Sequence, residues 1–260
     1  MEIGFGMGLT SFCGKASGPF ADPLFTKLLL HLDSDFSDSS LGDRTPTLVG
    51  SPTVSSVQKV FGAKSYLSTP SNTAKFSAST DFNLGDSVPA QVSFRVWSDP
   101  ARADDEVYFA THSWSGNGYL LAVNHTDSKL RFSSNSTLKA SWDYTFPTST
   151  WIALRFNHDG AGTYRYYVNG ILLAAVSGVS LTDSTNPFFV GARTPNVTGL
   201  TGYMDEVLWE KHAGLVVTTS ATYDVETAPW VNPSEKHLNI PVNDPLLATG
   251  FFNSLWEKTK

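Results

Sequence analysis

The stretch Trp151–Val176, WIALRFNHDGAGTYRYYVNGILLAAV, decides the fold. From Trp151 to Phe156 the residues alternate, with Ile152, Leu154 and Phe156 on one side and Trp151, Ala153 and Arg155 on the other. A period of two marks a half-buried strand. Asn157 to Gly162 is a turn cluster, and Tyr164 to Val168 is a second strand, rich in aromatic and β-branched residues. Asn169-Gly170 closes a tight hairpin, because both central residues of a type I′ turn need φ > 0. Ile171 to Val176 returns as a third strand. The stretch reads as an antiparallel meander.

Working outward, the same grammar recurs. Leu28 to Asp33 (LLLHLD) opens the pattern, and Leu48, Val54 and Val57 mark short strands. Gln91 to Trp97, Val107 to Thr111, Tyr119 to Asn124, Lys129 to Ser133 and Leu138 to Thr145 precede the meander. Phe188 to Gly191 and Gly202 to Glu210 follow it. In QVSFRVW, Val92, Phe94 and Val96 face one way and Ser93, Arg95 and Trp97 the other. Many short strands with spaced turns predict an all-β sandwich of two antiparallel sheets. The character changes after Trp209: Pro229, Pro233 and Pro241 interrupt any regular pattern. Asp244-Pro245 then predicts a short helix, with Asp as N-cap and Pro at the first helical position. Leu247, Phe251 and Leu255 fall at i, i+4 and i+8, with Phe252 and Trp256 on the same side.

Composition narrows the function classes. The chain has 260 residues, 41% of them hydrophobic, which suits a folded chain. Net charge is -6 with only 18 Lys and Arg and no basic cluster, which excludes nucleic acid as the expected partner. Cys13 stands alone, so an internal disulfide framework is excluded. No apolar run approaches the roughly 18 residues of a membrane span. The opening MEIGFGMGLTSFCG lacks a basic start and a continuous apolar core, so no secretory signal is expected and synthesis in a cytoplasm is.

Several of these segments resemble the laminin-G-like, concanavalin A-like jelly-roll family. The pieces are Trp-x-x-apolar…Asp-Gly…Tyr-Val-Asn-Gly of the meander, LLLHLD with Phe36-Ser-Asp-Ser39, FGAKSYL at Phe61–Leu67, and Phe189-Val190-Gly191…Gly202-Tyr203-Met204-Asp205-Glu206-Val207. The resemblance covers about residues 28–229; an insertion at 85–90 departs from the family's wording. It implies a concanavalin A-like jelly roll over 28–229. An N-terminal arm at 1–27 and a C-terminal arm at 230–260, carrying the short helix, complete the expected organisation.

Three constellations bear on chemistry. Jelly-roll glucanases place Glu, Asp and Glu at alternate positions of one strand; here alternation from Glu206 gives Glu206, Leu208 and Glu210, with Asp205 expected on the opposite face. With the central Asp replaced, no catalytic residue is assigned and no hydrolase activity is expected. Asp33 and Asp205 are the pair through which the resemblance implies a structural calcium; the other reading is that backbone N–H groups satisfy them. Trp114, Trp142 and Tyr144, with Trp97, could stack on a sugar; the other reading is core or interface packing. The sequons at Asn124, Asn135 and Asn196 are read as chance.

The reading favoured is a non-enzymatic structural or adhesive protein of a tailed-phage virion, a capsid decoration or tail-fibre component made in the host cytoplasm. Its expected partners are other virion proteins, further copies of itself and a cell-surface glycan, with no cofactor other than calcium. A carbohydrate-binding module and a jelly-roll glucanase are the alternatives. Leu247, Phe251, Phe252, Leu255 and Trp256 are expected to serve assembly, since so short a segment cannot build its own core.

Overall fold

A computed structural model describes residues 21–85, 87–101, 105–111, 117–135, 137–179, 181, 183–194 and 198–232. Trp114, the sequon at Asn196, most of the expected N-terminal arm, and the expected helix with Leu247, Phe251, Phe252, Leu255 and Trp256 lie outside the described residues.

In chain order the strands are β1 (Thr26–Leu30), β2 (Thr47–Val49), β3 (Thr53–Ser55), β4 (Ser65–Ser68), β5 (Thr73–Phe76), β6 (Ala90–Ser98), β7 (Asp105–Ala110), β8 (Tyr119–Asn124), β9 (Lys129–Ser134), β10 (Thr137–Asp143), β11 (Trp151–His158), β12 (Thr163–Val168), β13 (Ile171–Ser177), β14 (Phe188–Val190), β15 (Ala192–Thr194), β16 (Thr198–Gly199) and β17 (Gly202–Lys211). One 3-10 turn, Thr80–Phe82, interrupts them. The large sheet runs β13-β12-β11-β6-β17-β4-β3, with β1 also paired to β17. The small sheet runs β10-β9-β8-β7-β14-β5-β2. All the pairings are antiparallel, as the alternating pattern requires.

The meander forms as its residues dictate. Asn169 and Gly170 take φ of 48° and 80°, the left-handed pair that the two-residue turn needs. Ile152, Leu154 and Phe156 of β11 then face the small sheet together with Val92, Phe94 and Val96 of β6. Between the sheets lies an aromatic layer. Phe94 meets Phe109 edge-on at 4.7 Å, Phe82 stacks on Phe188 at 4.4 Å, and Phe188 meets Trp209 at 5.3 Å. Offset and edge-on pairs of this kind suit the ring quadrupole and add to the burial of apolar area.

Two expectations need correction. The first strand ends at Leu30, so His31, Leu32 and Asp33 form the turn after it; Leu32 takes φ of 63°. The alternation along β17 also breaks. Asp205 lies opposite Arg95 but Leu208 lies opposite Ser93, so β17 carries one extra residue there, and Glu206 takes φ of 49°. This is a β-bulge. Beyond it Val207 and Trp209 face the core with Met204, while Asp205, Leu208 and Glu210 share the outer face. Asp205 is therefore on the same face as Glu210, not the opposite one.

Candidate functional site

The outer face of the large sheet carries four buried charged side chains, Arg95, Arg155, Asp205 and Glu210. Strands β6 and β11 turn Gln91, Ser93, Arg95 and Trp97, and Trp151, Arg155 and Asn157, to this side, while their intervening residues fill the core. Register sets Arg155 opposite Ser93, whose hydroxyl accepts from Arg155 Nε at 2.9 Å. Arginines on a sheet face would normally be solvated; both are buried.

The cover is the chain itself. Residues 212–232 leave the end of β17 and run back across this face as a strap. Asn157 Nδ2 donates to the carbonyl of Thr218 at 2.9 Å. The Tyr167 hydroxyl sits 2.9 and 3.0 Å from the carbonyls of Thr218 and Ser220. The backbone then pairs with the start of β13: Leu172 N donates to Ala221 O and Tyr223 N to Gly170 O, both at 2.8 Å, with Ile171 and Thr222 as bridge partners. The Arg155 guanidinium lies 3.7 Å from the Tyr223 ring centroid, a cation–π contact, and reaches Glu226 Oε1 at 2.5 Å. Arg95 donates to the Glu226 carbonyl and stands 3.6 Å from its carboxylate.

The strap is fastened beside the bulge. The positive φ of Glu206 turns its carboxylate to the end of β1, where Oε1 lies 2.9 Å from His31 Nδ1 and Oε2 accepts from Trp230 N at 3.0 Å. His31 Nε2 lies 2.7 Å from Asn232 Oδ1. Burial alone would lower the His31 pKa, but the bond to Glu206 and its charge outweigh that, helped by Asn232 and Asp33, and raise it to about 9. Trp230 packs with Ala21, Leu29 and Leu208 in one small apolar patch.

The residues singled out in the sequence fall as follows. Asp33 Oδ1 accepts from Ala63 N at 2.8 Å, and Asp205 Oδ2 accepts from Val60 N at 2.9 Å, so both carboxylates hold the 60–64 loop. Burial raises the Asp205 pKa to about 7 against those N–H groups, aided by the charges of Glu206 and Asp33. Among the described residues no group of three or more His, Cys, Asp or Glu is placed to hold a metal ion. Trp142 packs edge-on against Tyr166 at 5.3 Å and Tyr144 against Phe146 at 4.7 Å, both half-buried at the core margin. Trp97 meets Tyr203 at 5.4 Å on the outer face. Glu210 is bonded to Gln91 Nε2 at 2.7 Å, and burial raises its pKa. Arg95, Arg155, Tyr223, Glu226 and His31 were missed. Their one sequence signal was a pair of arginines at polar-face positions of two strands that prove to be neighbours.

The family model of the concanavalin A-like lectin/glucanases superfamily matches residues 61–213. The chain belongs to this superfamily. No match is found among the curated proteins. Among solved structures this superfamily member is similar to domain 4 of a GH43 extracellular arabinanase from Geobacillus stearothermophilus, in complex with arabinotriose. That match has 18% identity and a TM-score of 0.55, covering 72% of this chain and 92% of the other. It is also similar to the botulinum neurotoxin serotype D binding domain, at 10% identity and TM-score 0.56, covering 73% of this chain. The serotype G binding domain matches at 12% identity and TM-score 0.54, covering 71%. The chain spans about half the length of these neurotoxin domains, 49% and 47%. At such identities the likeness is one of fold.

Proposed function

We propose that this chain is a non-enzymatic binding and assembly domain of a virion, with glycan contact made through its loops. The observation that carries the non-enzymatic part is the closure of the β17 face. Asp205, Glu206 and Glu210 are all buried, and each has at least one carboxylate oxygen bonded within the domain. A glycosidase needs two carboxyl groups flanking a cleft that admits the sugar. Here the strap lies over the sheet face on which such a cleft would form. The virion setting rests on the resemblance of LLLHLD, FGAKSYL and the Met204-Asp205-Glu206-Val207 strand to laminin-G-like domains of phage structural proteins. The apolar residues of both chain ends, from Ile3 to Phe12 and from Leu247 to Trp256, fit a role in assembly.

A second reading is a carbohydrate-binding module, favoured by the likeness to an arabinanase domain solved with arabinotriose. A glycan array that includes arabino-oligosaccharides, run beside mass spectrometry of virions from the host lysate, tests both. Recovery in purified virions supports the first reading; arabinan binding with no virion recovery supports the second. Release of reducing sugar that Glu206→Gln abolishes would overturn the non-enzymatic part of either.

A further inference from the structure

Both sheets end on the same side of the sandwich, the large one at β13 and the small one at β10. Natural edge strands are blunted by charge, proline or a covering segment. The β13 sequence, ILLAAVS, holds no charge and no proline, and among the described residues the strap pairs only with its start at Ile171 and Leu172. Strand β10 pairs with β9, and no described strand pairs with its other edge. Tyr144 N donates to Ser128 O at 2.9 Å, which fixes the sense of the alternation. The backbone groups of Tyr144, Trp142 and Ala140 turn toward β9, and those of Asp143 and Ser141 turn away from it.

The side chains along this edge complement themselves. On the outer face Ser141 lies opposite Arg131 and Asp143 opposite Lys129, and Lys139 is the extra residue of the bulge before Ala140. The Asp143 carboxylate is almost fully exposed, with Oδ1 on Lys129. Among the described residues nothing pairs with the Lys139 ammonium. On the core side Ala140 and Trp142 are half-buried at the margin of the sandwich. When a second β10 lies antiparallel beside the first, about a two-fold axis perpendicular to the sheet, directly opposed residues share a face. Centring that pair on Lys139 or on Asp143 sets like charges opposite each other. Centring it on Ser141 sets each Lys139 opposite the Asp143 of the other copy. The same register sets each Ala140 opposite the other Trp142, a small residue beside a large one.

From this we infer that the free edge of β10 is a docking edge, and that its partner is the β10 of a second copy of this chain, paired antiparallel about Ser141. Main-chain bonds at Ser141 and Asp143 make the join, and the two Lys139–Asp143 pairs set its register. The bulge limits the join to residues 139–143, so the dimer dissociates on dilution. The inference names a partner for the proposed assembly and so rests on that reading. Self-association and virion recovery are read by separate assays, so either can fail alone.

The test is sedimentation equilibrium of the full chain over a range of concentrations. The wild type should show a monomer–dimer equilibrium. Lys139→Asp and Asp143→Lys alone set like charges across the join and should each weaken the dimer about ten-fold. Lys139→Asp combined with Asp143→Lys restores opposite charges and should bring the wild-type affinity back. A monomer at every concentration, or a dimer indifferent to these exchanges, would overturn the inference. In a Cys13→Ser background, Ser141→Cys should oxidise to a disulfide-linked dimer, since a hydrogen-bonded pair holds its Cα atoms about 5.5 Å apart. Val216→Cys, on an exposed residue away from β10, should not. Should any variant misfold, hydrogen exchange on the unmodified chain decides. The Ser141 and Asp143 amides should exchange several-fold more slowly in concentrated than in dilute protein, and equal rates would refute the pairing.

Discussion

The two faces of the large sheet are both buried, the inner one by apolar packing and the outer one, apart from the small patch at Leu29, Leu208 and Trp230, mainly by polar contacts. The inner face sets Phe94, Leu154, Phe156, Tyr166 and Trp209 against the small sheet. The outer face sets Arg95, Arg155, Asn157 and Tyr167 against residues 218–226. Apolar packing is non-directional and tolerates any neighbour of the right shape. Hydrogen bonds and ion pairs need a partner with particular atoms in particular places, and their loss leaves desolvated groups behind. The inner face therefore accepts any apolar cover of the right shape, and the outer face is matched to the particular atoms of residues 218–226. Burial alone would have given the two the same meaning.

The largest expected effect tests the inner face. Trp209→Ala removes a ring packed against Phe82, Phe188 and Tyr119, and also the indole N–H bond to Asp81 O. It should cost about 3–5 kcal/mol in urea unfolding. If the comparison holds, the loss is global: strap and core amides lose protection together.

The fastening at His31 should make stability depend on pH. Its folded pKa of about 9 lies above the ordinary 6.5, so the folded state holds the proton more tightly. The contribution is complete below about pH 6.5 and is lost as pH rises through 9, amounting to about 2–3 kcal/mol. Urea midpoints at the two ends of that window should differ in the wild type, and the larger part of the difference should vanish in His31→Gln, the remainder coming from Asp205, whose pKa of about 7 also favours the low-pH end. An equal fall in the variant would assign the effect elsewhere.

On the outer face, Glu226→Gln keeps the shape of the strap but removes the charge between Arg95 and Arg155. The expected cost is about 1.5–3 kcal/mol. Unlike Trp209→Ala, it should appear first as proteolysis near Val216, with the core transition still cooperative. A loss of cooperativity would make the strap part of the core and erase the contrast between the faces.

How much of this was legible follows from the range of the forces involved. The meander and its Asn169-Gly170 turn were legible because period-two alternation and a φ > 0 turn are written in adjacent residues. The β17 bulge was not: Asp205-Glu206 carries no local mark of a left-handed residue, and the bulge is set by pairing with both β6 and β1. That one extra residue moved Asp205 onto the face of Glu210. The strap was illegible for the same reason at longer range. Arg155 and Glu226 stand 71 residues apart, and an irregular Pro-bearing segment gives no period from which to read a partner. Trp230, assigned from sequence to the C-terminal arm, packs on Leu29 and Leu208 of the sandwich.

The smallest expected effect is also the most local. Gly170 takes φ of 80°, and a Cβ built there would lie 2.6 Å from the carbonyl oxygen of Tyr223. Gly170→Ala therefore meets two penalties. A left-handed alanine costs about 1 kcal/mol, and it falls on the hairpin whichever way the strap lies. The clash falls on the strap alone, because only the strap puts a carbonyl at that point. The strap can retreat by giving up the bond from Tyr223 N to Gly170 O and the Ile171–Thr222 bridge. The inner face, fixed on the other side of the sheet, is untouched. The expected outcome is a global loss of about 1–2 kcal/mol, with a larger rise in the exchange rate of the Leu172 and Tyr223 amides than of any in β11. A uniform rise across the sheet would mean that strap and hairpin open as one unit, and the outer face would then be as integral to the domain as the inner one.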